Sequence, residues 1–282
     1  MPEINFIITK ASGEQVAFST DKLKDSLRKS GADNRTIDFI LEEIKKNLYE
    51  GITTKKIYKQ AFSLLKKESN SFAARYKLKT AIMELGPSGF PFEKFFASLL
   101  VYKGYKTQVG VMVEGHCVRH EIDVIAEKGN DYIMVECKYH NMNGIACDVK
   151  IPLYIQSRFL DVEYNWKTLP GHKNKNHQGW LVTNTKFTED AIQYGLCMGL
   201  NLVAWSFPIN ENLKSMIDDS GLYPITCLTT ITKYEKQLLL DKKIVLCKEI
   251  CNKVSILKIA HIQESRFPKI LNEAQSLANQ SI

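Results

Sequence analysis

HEIDVIAEKGNDYIMVECKYH, residues 120–140, sets the architecture around which the rest of the chain is arranged. Two strand-like runs flank Lys128-Gly129-Asn130, whose composition predicts a hairpin turn. Period two along a strand puts Glu136 and Lys138 on one face, with Val135 and Cys137 on the other. Asp123 stands against its apolar neighbours Ile122 and Val124 in the same sense. Pairing across the turn can bring the two carboxylates side by side, with the lysine one step along. Two carboxylates suit Mg²⁺, a hard cation that takes oxygen ligands. A metal so held lowers the pKa of bound water and neutralises charge on a phosphate. Lys138 could orient the attacking water, help deprotonate it, or stabilise transition-state charge. The competing reading is an exposed strand face decorated with charges. The apolar character of both strands weighs against it, and a lysine on a largely buried strand needs carboxylate partners.

Working outward, PFEKFFASLLVYKG (91–104) predicts a helix with Pro91 in its first turn. KTQVGVMV (106–113) reads as a strand. Beyond the quoted stretch come a helix at 151–162, a polar loop PGHKNKNHQ (170–178) and a strand GWLVTN (179–184). A helix capped by Thr188, acidic in its first turn at Glu189 and Asp190 and ended by Gly199, is followed by the strand LNLVAWSF (200–207). The order α-β-β-β-α-β-α-β predicts an α/β domain with a mixed sheet, over residues 87–209.

Gly86-Pro87-Ser88-Gly89 marks a boundary. Residues 1–86 open with INFIIT, a turn at Ala11–Glu14 and QVAFS, a predicted β-hairpin. About four helices follow: one capped by Thr20 or Asp21, one carrying Ile37, Ile40, Leu41 and Ile44, one capped by Thr53 or Thr54, and one from Ser69 or Ser71 to Leu85. This front unit is α+β. Residues 210–282 show no strand pattern; two short helices in 231–253 and a last one at 267–279 make a small helical region.

The chain has 282 residues and a net charge of +7, with 44% hydrophobic residues, which is globular composition. No apolar run is long enough to cross a membrane, and MPEINFII, without a basic region followed by an apolar core, does not read as a signal peptide. Seven cysteines without a CxxC argue for free thiols in a reducing cytoplasm and against structural zinc. Cys247 and Cys251 read as small apolar residues of a helix rather than a metal pair.

Residues 89–208 resemble the PD-(D/E)xK nuclease superfamily, in particular Mrr-like restriction endonucleases. The matching pieces are GFPFEKFFASLLVYKGY, EIDVIA, VECKYH, GWLVTNTKFTEDA and LVAWSFP, in the family's order. The resemblance implies Asp123 and Glu136 as ligands of Mg²⁺ or Mn²⁺ and Lys138 as the catalytic lysine. It implies that Glu93 reaches the site through metal-bound water; the plain alternative is compensation of a helix dipole. Gln156, in the following helix, is a further contributor by the same resemblance. His116, His120 and His140 read as polar strand-edge or DNA-facing residues. His172, Lys173, Lys175 and His177 form a basic loop, either solvated or touching phosphate.

Residues 1–86 resemble the ATP-cone, the regulatory nucleotide-binding module of ribonucleotide reductases and their repressor. The carrying residues are ITKASGEQVAF, DKL, GITTKKIY and AARY. The resemblance implies phosphate contacts from Lys10 and Lys22, a base near Thr54 and Tyr58, and a backbone contact at Ile8, with ATP or dATP as effector. Lys10-Ala11 stands where the family often has Lys-Arg, and Arg75 or Lys79 is the candidate substitute. With no GxxxxGK[ST], ATP acts here as a signal rather than a fuel. The tail 229–250 loosely resembles a degenerate helix-hairpin-helix without its glycine; a structural or oligomerising role is the alternative.

The expectation is a cytoplasmic, homo-oligomeric, Mg²⁺-dependent DNA endonuclease regulated by an adenine nucleotide. The rivals are a non-catalytic nucleotide-responsive DNA sensor and a repair or junction nuclease. Net charge divides as +5 over residues 1–85, 0 over 86–210 and +2 over 211–282. The basic excess therefore sits mainly in front and points to a polyanion there.

Overall fold

A computed structural model describes residues 6–10, 12–142 and 144–278. Ile4, Asn5 and Ala11 of the expected hairpin, and Asn279 of the last helix, lie outside the described residues. The short strands β1 (Ile7–Thr9) and β2 (Gln15–Ala17) pair antiparallel, with Ile8 opposite Val16. Helix α1 (Thr20–Lys29) is capped by Ser19, whose hydroxyl accepts from the Lys22 amide. The cap thus falls one residue before the expected Thr20 or Asp21, both already inside the first turn. Helices α2 (Asn34–Lys46) and α3 (Thr54–Glu68) carry side-chain caps from Asp33 and Thr53. The helix expected from Ser69 to Leu85 is two: α4 (Asn70–Tyr76) and α5 (Leu78–Met83), jointed at Lys77. Leu27, Ile37, Ile40, Ile44 and Leu65 fill a core between the hairpin and α1–α4.

Helix α6 (Phe90–Tyr102) leads into the sheet strands β3 (Lys106–Glu114), β4 (Arg119–Lys128) and β5 (Asp131–Lys138), a continuous antiparallel meander. The short β6 (Ala146–Cys147) precedes α7 (Lys150–Trp166) and β7 (Asn176–Thr183). The short β8 (Lys186–Phe187), α8 (Glu189–Cys197) and β9 (Asn201–Val203) follow. The five-stranded sheet runs β3-β4-β5-β7-β9, antiparallel up to β5 and parallel beyond it. This is the expected mixed sheet. The small parallel pair β6–β8 was not legible, because two-residue strands carry no periodicity.

Helices α7 and α8 cover one sheet face, where Phe159, Val162 and Trp166 meet Met134 and Leu181. At Gly179 a Cβ would lie 3.0 Å from the Phe159 ring, so α7 crosses β7 where the strand has no side chain. On the other face Phe92, Phe95 and Phe96 of α6 are fully buried against Val124, Val135 and Val182. Each such ring contributes roughly 1.5–3 kcal/mol by leaving water.

The C-terminal helices join that second core. They are α9 (Leu213–Ser220), α10 (Lys233–Asp241), α11 (Cys247–Asn252), α12 (Ile256–Ile259) and α13 (Phe267–Ala278). Leu239, Ile250, Leu257, Ile270 and Leu277 belong to it, as do Ala74, Leu78, Ile82 and Leu85 from before residue 86. At Gly86 a Cβ would lie 2.8 Å from the ring of Tyr139, whose hydroxyl donates to the Met83 carbonyl at 2.6 Å. The fold is α+β, with thirteen α-helices among the described residues. No helix among them is long and apolar enough to cross a membrane.

Candidate active site

Strands β4 and β5 pair from Lys128–Asp131 up to Val124–Val135, and there the ladder stops. Beyond that point β4 stays with β3 and β5 continues on β7 through Lys138–Thr183. At the fork the carboxylate of Asp123 accepts the Cys137 amide at 2.7 Å, replacing the backbone partner that β4 no longer supplies. Asp123 and Glu136 are the next residues along each strand, so the fork holds the two carboxylates that the sequence reading paired.

Their electrostatics agree with that proximity. Burial, then repulsion from Asp123, pushes the Glu136 carboxyl up to about 7. Glu93, in the first turn of α6, is also pushed up to about 7, by burial and then by Asp123, Glu136 and Glu121. Asp123 is raised by burial, and the Cys137 amide and Arg158 partly offset this. Asp123 thus disfavours charge on both Glu136 and Glu93, and Glu136 disfavours it on Glu93, so carboxyls from α6, β4 and β5 share one field.

Two residues differ from expectation. Lys138 is exposed, and among the described residues it makes no hydrogen bond or ion pair. It stands on the last residue of β5, where the strand reaches water and an ammonium needs no buried partner. The cation on Glu136 is instead Arg158 of α7, at 2.7 Å, with both side chains largely buried. Arg158 also donates to the Glu121 carbonyl at 3.2 Å and to the Tyr154 hydroxyl at 2.5 Å, and lies over the Tyr154 ring. The sequence carried a signal for it: between Lys150 and Lys167, Arg158 is the single cation of the helix. Gln156 is buried, and its carbonyl oxygen has no partner among the described residues.

Oxygen donors from Asp123 and Glu136 fit a hard divalent cation, which commonly binds through one or two carboxylates and keeps several waters. Among the described residues no three His, Cys, Asp or Glu side chains converge as a ligand set. The donors present thus fit a two-carboxylate site.

The other expected residues fall in several places. Ile8, Lys10, Lys22, Thr54 and Tyr58 all line one cavity of about 250 Å³ between the β1–β2 hairpin, α1 and α3. Lys10 is paired with Glu14 at 2.9 Å. Tyr58 stacks on Tyr76 at 5.0 Å, and Tyr76 also lines this front cavity. Arg75 and Lys79 do not line it: Arg75 donates to the Ser276 carbonyl at 2.8 Å, and Lys79 lies over Trp205. The expected substitution for the missing arginine is therefore not made by either.

His120 pairs with Asp161 at 2.7 Å, and His116 packs on the Tyr164 ring in a tilted arrangement with centroids 4.0 Å apart, so both fasten the β3–β4 turn to α7. His140 faces the Cys147 sulfur at 3.3 Å. Lys175 is taken by Glu127 at 2.6 Å, and His172 and His177 stack beside Tyr132. Of the loop's cations, Lys173 is left exposed.

A family model described as AF1548-like, C-terminal, matches residues 223–278. An uncharacterized protein of Archaeoglobus fulgidus is 39% identical over 154 residues, 55% of this chain and 82% of that relative. The crystal structure of AF1548, a protein of unknown function, matches with a TM-score of 0.56 at 32% identity, over 68% of this chain and 100% of that one. The chain belongs to the AF1548-like family.

Proposed function

We propose that the chain is a divalent-metal-dependent deoxyribonuclease whose activity responds to an adenine nucleotide. The observation that carries this reading is the fork at Val124–Val135, where Asp123 and Glu136 meet within the field of Glu93. A fold gains no stability by gathering carboxyls that disfavour one another's charge; a cation that binds them removes the penalty. Asp123 and Glu136 would hold Mg²⁺ or Mn²⁺, which when bound supplies a water of lowered pKa and charge neutralisation at phosphate. Glu93, with a carboxyl titrating near 7, is suited to taking or returning a proton at the site's edge. Lys138, exposed at the strand end, would meet a DNA phosphate from solvent. Arg158 holds Glu136 in its rotamer and offsets part of its charge. In the front cavity, Lys10 and Lys22 would take the phosphates of ATP or dATP, and Tyr58 and Thr54 the base side.

Nicking of supercoiled plasmid with and without Mg²⁺ tests the reading. Cleavage should require the metal and disappear in Asp123→Ala, Glu136→Ala and Lys138→Ala proteins that still fold. Wild-type cutting by Glu136→Ala would refute the assignment. One observation favours the rival non-catalytic DNA sensor: the ion pair to Arg158 already gives Glu136 a cation. DNA binding without nicking in Mg²⁺ or Mn²⁺ would establish that rival.

A further inference from the structure

A second cavity, of about 250 Å³, lies where the front helices meet the C-terminal region. Tyr58 and Phe62 of α3 form one wall, Leu228 and Ile231 another, and three lysines line it: Lys66, Lys77 and Lys236. Among the residues lining it there is no carboxylate. Glu84 binds Lys77 at 2.7 Å and comes within 4.0 Å of Lys236, so one acid serves two ammonium groups. Lys236 is 7% exposed, and burial followed by repulsion from Lys77 pulls its ammonium down to about 8. Lys77 and Lys236 both donate to the Thr226 carbonyl, at 3.2 and 2.8 Å. That oxygen has two lone pairs and can accept both, but it carries no charge to balance them. With Glu84 shared between them, two largely buried ammonium groups have one carboxylate, and the unbalanced charge costs stability unless a further anion joins them. Lys66, exposed at the rim, reaches the Thr229 carbonyl at 3.4 Å.

We infer that this cavity binds an organic phosphate of mononucleotide size, its phosphoryl group among Lys66, Lys77 and Lys236 and its apolar body against Tyr58 and Phe62. The surplus of ammonium over carboxylate calls for a dianion, and the ringed wall gives an aromatic body a stacking surface. The site is distinct from the front cavity, although Tyr58 lines both. The inference stands whether or not the chain cuts DNA, and a failed nicking assay leaves it intact.

Calorimetric titration with AMP tests it on the full chain, in a Lys22→Met background that disables the front cavity. The Lys22→Met protein should bind AMP with a 1:1 stoichiometry and more tightly than inorganic phosphate. Adding Lys66→Met or Lys236→Met should weaken AMP at least tenfold. Lys66 is exposed, so its variant keeps the test valid even if Lys236→Met fails to fold. Loss of AMP binding in Lys22→Met alone overturns the inference, because the nucleotide then belongs to the front cavity. AMP binding no tighter than phosphate, or undiminished by Lys66→Met, overturns it as well.

Discussion

Glu136 concentrates the chemistry of this molecule in one side chain, because its carboxyl is wanted charged by Arg158 and uncharged by Asp123 and by burial. With Glu93 it holds a proton in the folded chain, up to about pH 7, that the unfolded chain releases near 4.5. The folded state thus binds more protons across that window, and stability falls as pH rises through it. Urea unfolding of the metal-free protein should show a loss of about 2–5 kcal/mol between pH 5 and 7.5, the lower figure for one carboxyl and the upper for both. Glu136→Gln should flatten the slope, and saturating Mg²⁺ should do the same. Arg158→Met removes the cation that lowers Glu136. The downward slope should then extend above pH 7, with an added loss of about 1–3 kcal/mol at pH 7.5, read from the same curves. The lone cation at 158 is visible in the sequence, but its pairing with Glu136 depends on how α7 crosses the sheet, which periodicity does not give.

The elements divide into those that local rules predict and those that tertiary contacts make. The β3–β4–β5 meander, α6, α7 and α8 were legible, since each carries periodic apolar residues between clear stops. The Thr188 cap of α8 is met as read. Helix α9 was missed although Leu213, Met216, Ile217 and Ser220 keep helical spacing between Asn212 and Gly221. Eight residues after Pro208 simply gave the pattern little room. The break at Lys77 is a tertiary effect: the side chain is drawn to Glu84 and to the Thr226 carbonyl from a distant segment. Glu273 of α13 is another such device, 3% exposed and accepting from the amides and hydroxyls of Thr229 and Thr230 at 2.6–3.0 Å. Glu273→Ala strands four donors and should cost about 3 kcal/mol or more in urea unfolding. Glu273→Gln, which keeps one acceptor oxygen, should recover part of the loss.

At the scale of the whole molecule, charge and core follow different divisions of the chain. The +5 of residues 1–85 includes Lys10 and Lys22, which line the front cavity, whereas the central 86–210 is neutral. Titration with ATP or dATP should therefore weaken with added salt, and Lys22→Ala should reduce affinity about tenfold or more. The cores do not part where the charge does. Leu78, Ile82 and Leu85 share a core with α6 and with the C-terminal helices. Gly86 rests on the Tyr139 ring, directly after Lys138 on the strand that carries Glu136. A protease that nicks the exposed Pro87-Ser88 step will consequently yield two polypeptides but not two particles. On size-exclusion chromatography the fragments should elute together at the intact position until denaturant is added.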